Sequence, residues 1–106
     1  MTDSSELLVA LDSAAADLEG VGVEMDADGS RTWSRGGTVF SVLTGSGADL
    51  RIGATIADAA VRTPDTTLSA RGPDWVTFSP PILDDHARDR LEAWFAAAHR
   101  RAVPGA

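Results

Sequence analysis

The sequence predicts one α+β domain: a single, mainly antiparallel sheet of about six strands, with N- and C-terminal helices packed on one face and a short helix between strands four and five. Three observations predict it. Apolar residues recur at helical spacing near both ends of the chain and briefly past its middle. Between these stretches run short segments of period two. Most of the strand joints are glycine-rich or Asp-Gly turns, too short for crossovers, which favours antiparallel neighbours.

The first helix is expected over about residues 4–19. Asp3 followed by Glu6 has the form of a capping box, Leu7, Leu8, Leu11, Ala14, Ala15 and Leu18 keep helical spacing, and Gly20 supplies a left-handed stop. Val21, Val23 and Met25 then alternate with Gly22 and Glu24, and Asp28-Gly29 turns the chain into residues 30–35 as a hairpin. Gly36-Gly37 leads into a third strand over 38–44. Its alternation sets Val39 and Leu43 on one side and Phe40 and Val42 on the other, as in a central strand.

Gly45-Ser46-Gly47 precedes a fourth strand over 48–54, with Leu50 and Ile52 inward and Asp49, Arg51 and Gly53 outward. Thr55 with Asp58 starts a short helix that Pro64 forbids from continuing. Residues 66–71 and 75–79 form a second hairpin about Gly72-Pro73-Asp74, with Leu68, Ala70, Val76 and Phe78 inward. Pro80-Pro81 breaks the sheet. Asp84 then caps a last helix whose stripe is Ala87, Leu91, Trp94, Phe95, Ala98 and Ala102, ending at Pro104-Gly105. Acids in its first turn and Arg100 and Arg101 in its last follow the helix dipole.

Composition narrows the function classes. With 106 residues, 43% hydrophobic and 24% charged, the chain has material for one core, so residues 1–106 are expected to form one domain. The net charge of −7, with every basic side chain an arginine, disfavours nucleic acid as a partner without forbidding a local arginine stripe. No cysteine is present, which removes disulfides, thiolate nucleophiles and cysteine zinc sites. The opening Met1-Thr2-Asp3-Ser4-Ser5-Glu6 lacks the cationic start of a secretory signal, and no apolar run approaches a membrane span, so a cytoplasmic protein is expected.

Several segments together resemble the MmcQ/YjbR-like family of small bacterial proteins. They are Gly37-Thr38-Val39-Phe40, Leu50-Arg51-Ile52, Ala59-Ala60 through Pro64-Asp65, Trp75-Val76, and the end helix from Leu91 to Ala98. The resemblance implies a frataxin-like fold called double-wing, and a DNA-binding role carried by analogy of shape. Thr38 and Val39 stand where such proteins often place a lysine before the phenylalanine of the third strand.

Chemistry-bearing residues are sparse. Arg31, Trp33 and Arg35 alternate on one strand and so share a side of the sheet. A tryptophan between two guanidiniums suits stacking on a ligand or partner, and with this strand parity Arg51, Arg71 and Trp75 join it on an open face. The competing placement puts Trp33 beneath other elements, with the arginines covering its edges and pairing with acids; the usual burial of tryptophan favours this one.

Asp85, Asp89 and Glu92 resemble the helix carboxylates with which frataxin-like proteins hold iron, but the interleaved Arg88 makes them an ordinary ion-paired face. Asp26 and Asp28 read as turn formers, since the spacing of a calcium loop is absent. His86 and His99 sit thirteen residues apart on one helix, roughly 20 Å, and read as separate exposed histidines. No catalytic residue, metal site or cofactor is expected. The expected role is a non-enzymatic binding or interaction domain for a protein or small-molecule partner, with a nucleic-acid-binding accessory protein as the alternative.

Overall fold

In a computed structural model, which describes residues 4–102, the chain forms three helices and one six-stranded sheet. The elements are α1 (Ser4–Ala16), β1 (Val21–Met25), β2 (Arg31–Arg35), β3 (Thr38–Thr44), β4 (Gly47–Arg51), α2 (Ala54–Ala60), β5 (Thr66–Leu68), β6 (Trp75–Phe78) and α3 (Asp85–Arg101). Their order and type match the expected fold. The sheet runs β1-β2-β3-β4-β6-β5, and every neighbouring pair is antiparallel.

α1 and α3 pack against each other and over β3 and β4, burying Leu7, Ala10 and Leu11 of α1 and Ala87, Leu91, Phe95 and Ala98 of α3. The sheet meets them with Trp33, Phe40, Leu43, Ala48, Leu50, Val76 and Phe78, and α2 adds Ala57 and Ala60 to the same core. Among the described residues the opposite face carries no helix, because the apolar stripes of both terminal helices are used on this side.

Local details depart from the sequence expectation in several places. β4 ends at Arg51 and β5 at Leu68, each three residues short of its expected end. α1 ends at Ala16, and residues 17–20 form a turn before β1. The Asp3 cap and the Pro104-Gly105 stop lie outside the described residues. α2 begins after Gly53, which adopts φ 94°, so Thr55 lies inside the helix and does not cap it. Leu68 and Ala70 are not buried in the core. Leu68 opposes Val76 and so lies on the core-facing side, as expected, but is 59% exposed on the edge strand, and Ala70 lies in the turn beyond the strand end.

The last departure is a β-bulge. Trp33 pairs with Ser41 but Ser34 pairs with Val39, so Phe40 is an extra residue in β3. Past the bulge the alternation flips: Phe40 and Leu43 both enter the core, whereas Val39 and Val42 sit on the opposite face. The helix N-cap predicted at Asp84 is present, its carboxylate accepting from Ala87 N–H at 2.9 Å.

Candidate functional site

The arginine–tryptophan cluster of β2 lies on the helix-bearing side of the sheet. Register makes this unavoidable: Trp33 opposes Val23 in β1 and Ser41 in β3, and opposed residues of antiparallel strands share a face. Trp33 is fully buried and packs edge-on against Phe95, with ring centroids 5.7 Å apart. Arg31 reaches Asp12 of α1 at 3.6 Å, and Arg35 Nη1 donates to the His99 carbonyl at 3.0 Å, near the end of α3. The expectation that Arg31, Trp33 and Arg35 line an open face is therefore corrected: they are the seam between sheet and helices. The guanidiniums tie β2 to both terminal helices.

Within that seam His99 is 6% exposed, contrary to its reading as a surface histidine. Its Nε2 lies 2.6 Å from the Glu19 carbonyl. A carbonyl only accepts, so Nε2 carries the proton, and the ring clamps the α1–β1 connection onto α3 while its edge meets Phe40. His86 is exposed, as expected. The Trp33 indole Nε1 is the one buried side-chain polar atom without a partner among the described residues.

Arg51, Arg71 and Trp75 do come together, on the face without helices. β4 and β6 pair Arg51 with Trp75 and Asp49 with Thr77. Asp49 is nearly buried because two donors close over it: Arg71 Nε at 2.7 Å on one carboxylate oxygen and Thr77 Oγ1 at 2.6 Å on the other. Arg71 comes from the β5–β6 connection, and its guanidinium lies 5.7 Å from the Trp75 ring centre. Arg51 Nε donates to Asp74 at 2.7 Å from the other side. That bond holds the Asp74 carboxyl below its ordinary value of 3.8.

The connection itself is pinned. Ser69 N–H bonds the Trp75 carbonyl at 3.1 Å, Arg71 N–H bonds Ser69 Oγ at 3.2 Å, and Asp74 accepts Gly53 N–H on its carbonyl at 3.0 Å. Trp75 is 9% exposed, with the Arg71 guanidinium over its ring and the loop at Gly72 beside it. Beside it, Thr44, Ser46, Asp49, Ser69, Arg71 and Thr77 line a shallow concavity of about 360 Å³. The arrangement offers hydroxyls and part-exposed guanidinium edges on a fixed backbone, the groups that recognise carboxylate, amide or phosphate oxygens.

Sequence reasoning placed Arg51, Arg71 and Trp75 together but missed Asp49, Asp74 and Thr77 as the groups that fix them. The outward parity of Asp49 was readable. Its pairing with Arg71, 22 residues away, depends on how the β5–β6 connection folds back. Asp85, Asp89 and Glu92 are exposed, and Asp26 and Asp28 hold the first hairpin turn through Ser30, as turn formers should. No group of three or more metal-ligating side chains gathers among the described residues, and none of their helices is long and apolar enough to cross a membrane. Comparison of the chain with protein-family models, with curated proteins and with solved structures returns no match.

Proposed function

We propose that the chain is a non-enzymatic binding domain that uses the helix-free face of its sheet, centred on Arg51, Arg71 and Trp75. The observation that carries this reading is the fixation of two guanidiniums on that face by Asp74 and Asp49, each through Nε at 2.7 Å. A guanidinium already held in place loses little side-chain entropy when a partner's oxygen meets its remaining edge, so binding energy is not spent on ordering it. The hydroxyls of Thr44, Ser46, Ser69 and Thr77 extend the same surface. The resemblance to the MmcQ/YjbR-like family belongs to this proposal as a statement of kinship.

The alternative is a nucleic-acid-binding accessory protein. It is the weaker reading, because both arginines of this face already share their charge with carboxylates in a chain of net charge −7. The test is a screen of carboxylate-bearing and aromatic fragments, and of a short DNA duplex at low salt, by amide chemical-shift mapping. Fragment shifts concentrated at residues 44–51 and 69–77, and lost when Arg51 and Arg71 are both replaced by alanine, are expected. Shifts confined to the helix side, or unchanged in the double variant, overturn the site. Duplex binding that falls steeply with salt selects the alternative.

A further inference from the structure

The sheet has two edges, and only one is protected. An edge strand offers a row of unpaired N–H and C=O groups to any other strand unless it is short, bulged, or broken by proline or charge. β5 is blunted: it is three residues long and follows Pro64 and Asp65, the latter at φ 65°. β1 has only the slightest of these devices, a single charge. Its five residues pair with β2 without a register shift, it contains no proline or basic residue, and Glu24 is its one charge.

The phase of the first hairpin determines what this edge presents. Asp26 N–H donates to the Ser30 carbonyl at 2.9 Å, which makes Asp26 and Ser30 a hydrogen-bonded pair. Bonded and non-bonded pairs alternate along an antiparallel ladder, so Glu24 bonds Thr32 and Gly22 bonds Ser34. Val21, Val23 and Met25 therefore turn their N–H and C=O groups away from β2. Their side chains lie on the helix-bearing face with their register partners Arg35, Trp33 and Arg31. The helices lie over β3 and β4, and Val23 and Met25 are left 46% and 66% exposed. Free backbone donors and acceptors coincide with uncovered apolar side chains.

We propose that β1 pairs with β1 of a second copy of this chain, antiparallel and centred on Val23, so that the two sheets become one. The segment Val21-Gly22-Val23-Glu24-Met25 is self-complementary in this register. Val23 meets Val23 of the second copy, and Val21 meets Met25. All outward-facing residues then form bonded pairs, each exchanging two N–H···O bonds. On the helix-free face Glu24 opposes Gly22 of the second copy, and the two carboxylates do not face one another. A slip of two residues in one direction sets Glu24 directly against Glu24, which like-charge repulsion disfavours, and a slip in the other leaves Met25 without a bonded partner. This fit is what favours a second copy over a strand from an unrelated protein. The two-fold axis runs normal to the sheet, so both helix-free faces lie on the same side.

Sedimentation velocity of the full chain, from low micromolar to several hundred micromolar, tests the proposal. The wild type is expected to pass from monomer to dimer over that range. Val23→Pro deletes an outward N–H that β2 does not use, and Met25→Lys adds an edge charge at an exposed position; each is expected to weaken dimerisation by about tenfold or more. Leu68→Lys, on the opposite edge, is expected to dimerise like the wild type. If Val23→Pro fails to fold by circular dichroism, Met25→Lys decides. A wild type that stays monomeric throughout, β1 variants that dimerise unchanged, or a Leu68→Lys variant that alone loses dimerisation would each overturn it.

Discussion

Asp74 illustrates how a single side chain on the helix-free face ties local charge to stability. Its carboxyl is held below the ordinary value of 3.8 first by the hydrogen bond from Arg51, with partial desolvation opposing and Arg101 adding a smaller attraction. A carboxyl whose folded value is depressed contributes stability that is present above its unfolded value and is lost as pH falls through the folded one. Replacing Arg51 with alanine removes the largest cause. Asp74 is then expected to titrate closer to 3.8, and the stability gap between wild type and variant should narrow as the solution is acidified below that pH. Carboxyl-detected NMR titration together with urea unfolding at several acid pH values measures both; a titration of Asp74 unchanged in the variant contradicts the assignment. The pair itself was half legible in the sequence, since Arg51 points outward by parity. What the sequence hides is the approach of Asp74, because it follows from a turn whose geometry alternation does not describe. Trp33 is less legible still. A two-residue turn on Asp28-Gly29 would set Trp33 against Glu24 and Ser34 against Val23; the chain instead makes a three-residue loop closed by the Asp26–Ser30 bond, which opposes Val21, Val23 and Met25 to Arg35, Trp33 and Arg31. That one-residue difference decides which face Trp33 takes, and alternation within β2 does not report it.

At the scale of elements, the order helix, four strands, helix, two strands, helix is legible because each depends on local periodicity and on a stop residue. The bulge in β3 is not. Phe40, Ser41, Val42 and Leu43 give no local sign that Phe40 and Leu43 share a face, and the choice is made by how Phe40 meets Phe95 at 5.1 Å. Turn glycines are a similar test of where local rules end. Gly47 opens β4 at φ 135°, and a Cβ built there would come within 2.7 Å of the Phe78 carbonyl oxygen and 3.0 Å of Ser79 Cβ. The first is backbone of β6 and the second sits on backbone fixed by the Ser79 N–H bond to the Asp65 carbonyl, so neither can swing aside as the tip of a long side chain would. Gly47→Ala is therefore expected to destabilise the protein by about 1–3 kcal/mol, from backbone strain and a forced parting of β4 and β6. Gly29→Ala makes a useful comparison: Gly29 also has a positive φ, 89°, but has nothing within 4 Å of its Cβ position. Urea unfolding of the two variants separates the terms, and equal losses would mean that conformation alone, not the approach to Phe78, sets the cost.

Across the whole molecule, stability is layered from the centre of the sheet outward. β3 and β4 lie beneath both terminal helices, and the largest fully buried side chains, including Phe40, Leu50 and Phe95, lie at that junction. β1 and β5 have one strand neighbour each and no helix covering their full length. Amides that exchange only when the core opens should therefore cluster in β3, β4 and α3, whereas local fraying suffices to release those of β1 and β5. In dilute solution, where no second copy is bound, native-state hydrogen exchange is expected to show the amides of Ser41 and Leu50 among the slowest. Gly22 and Glu24 are expected to exchange much faster although both bond to β2. The clamp formed by Arg35, His99 and Glu19 works against this gradient, because it fastens the start of β1 to the end of α3. Its contribution appears as graded protection along the edge strand, with Gly22, next to the clamp, slower than Glu24 at the hairpin end. Uniform protection along β1, equal to that of β3, would mean that the sheet opens as one unit and that the helix layer does not set the order of local stability.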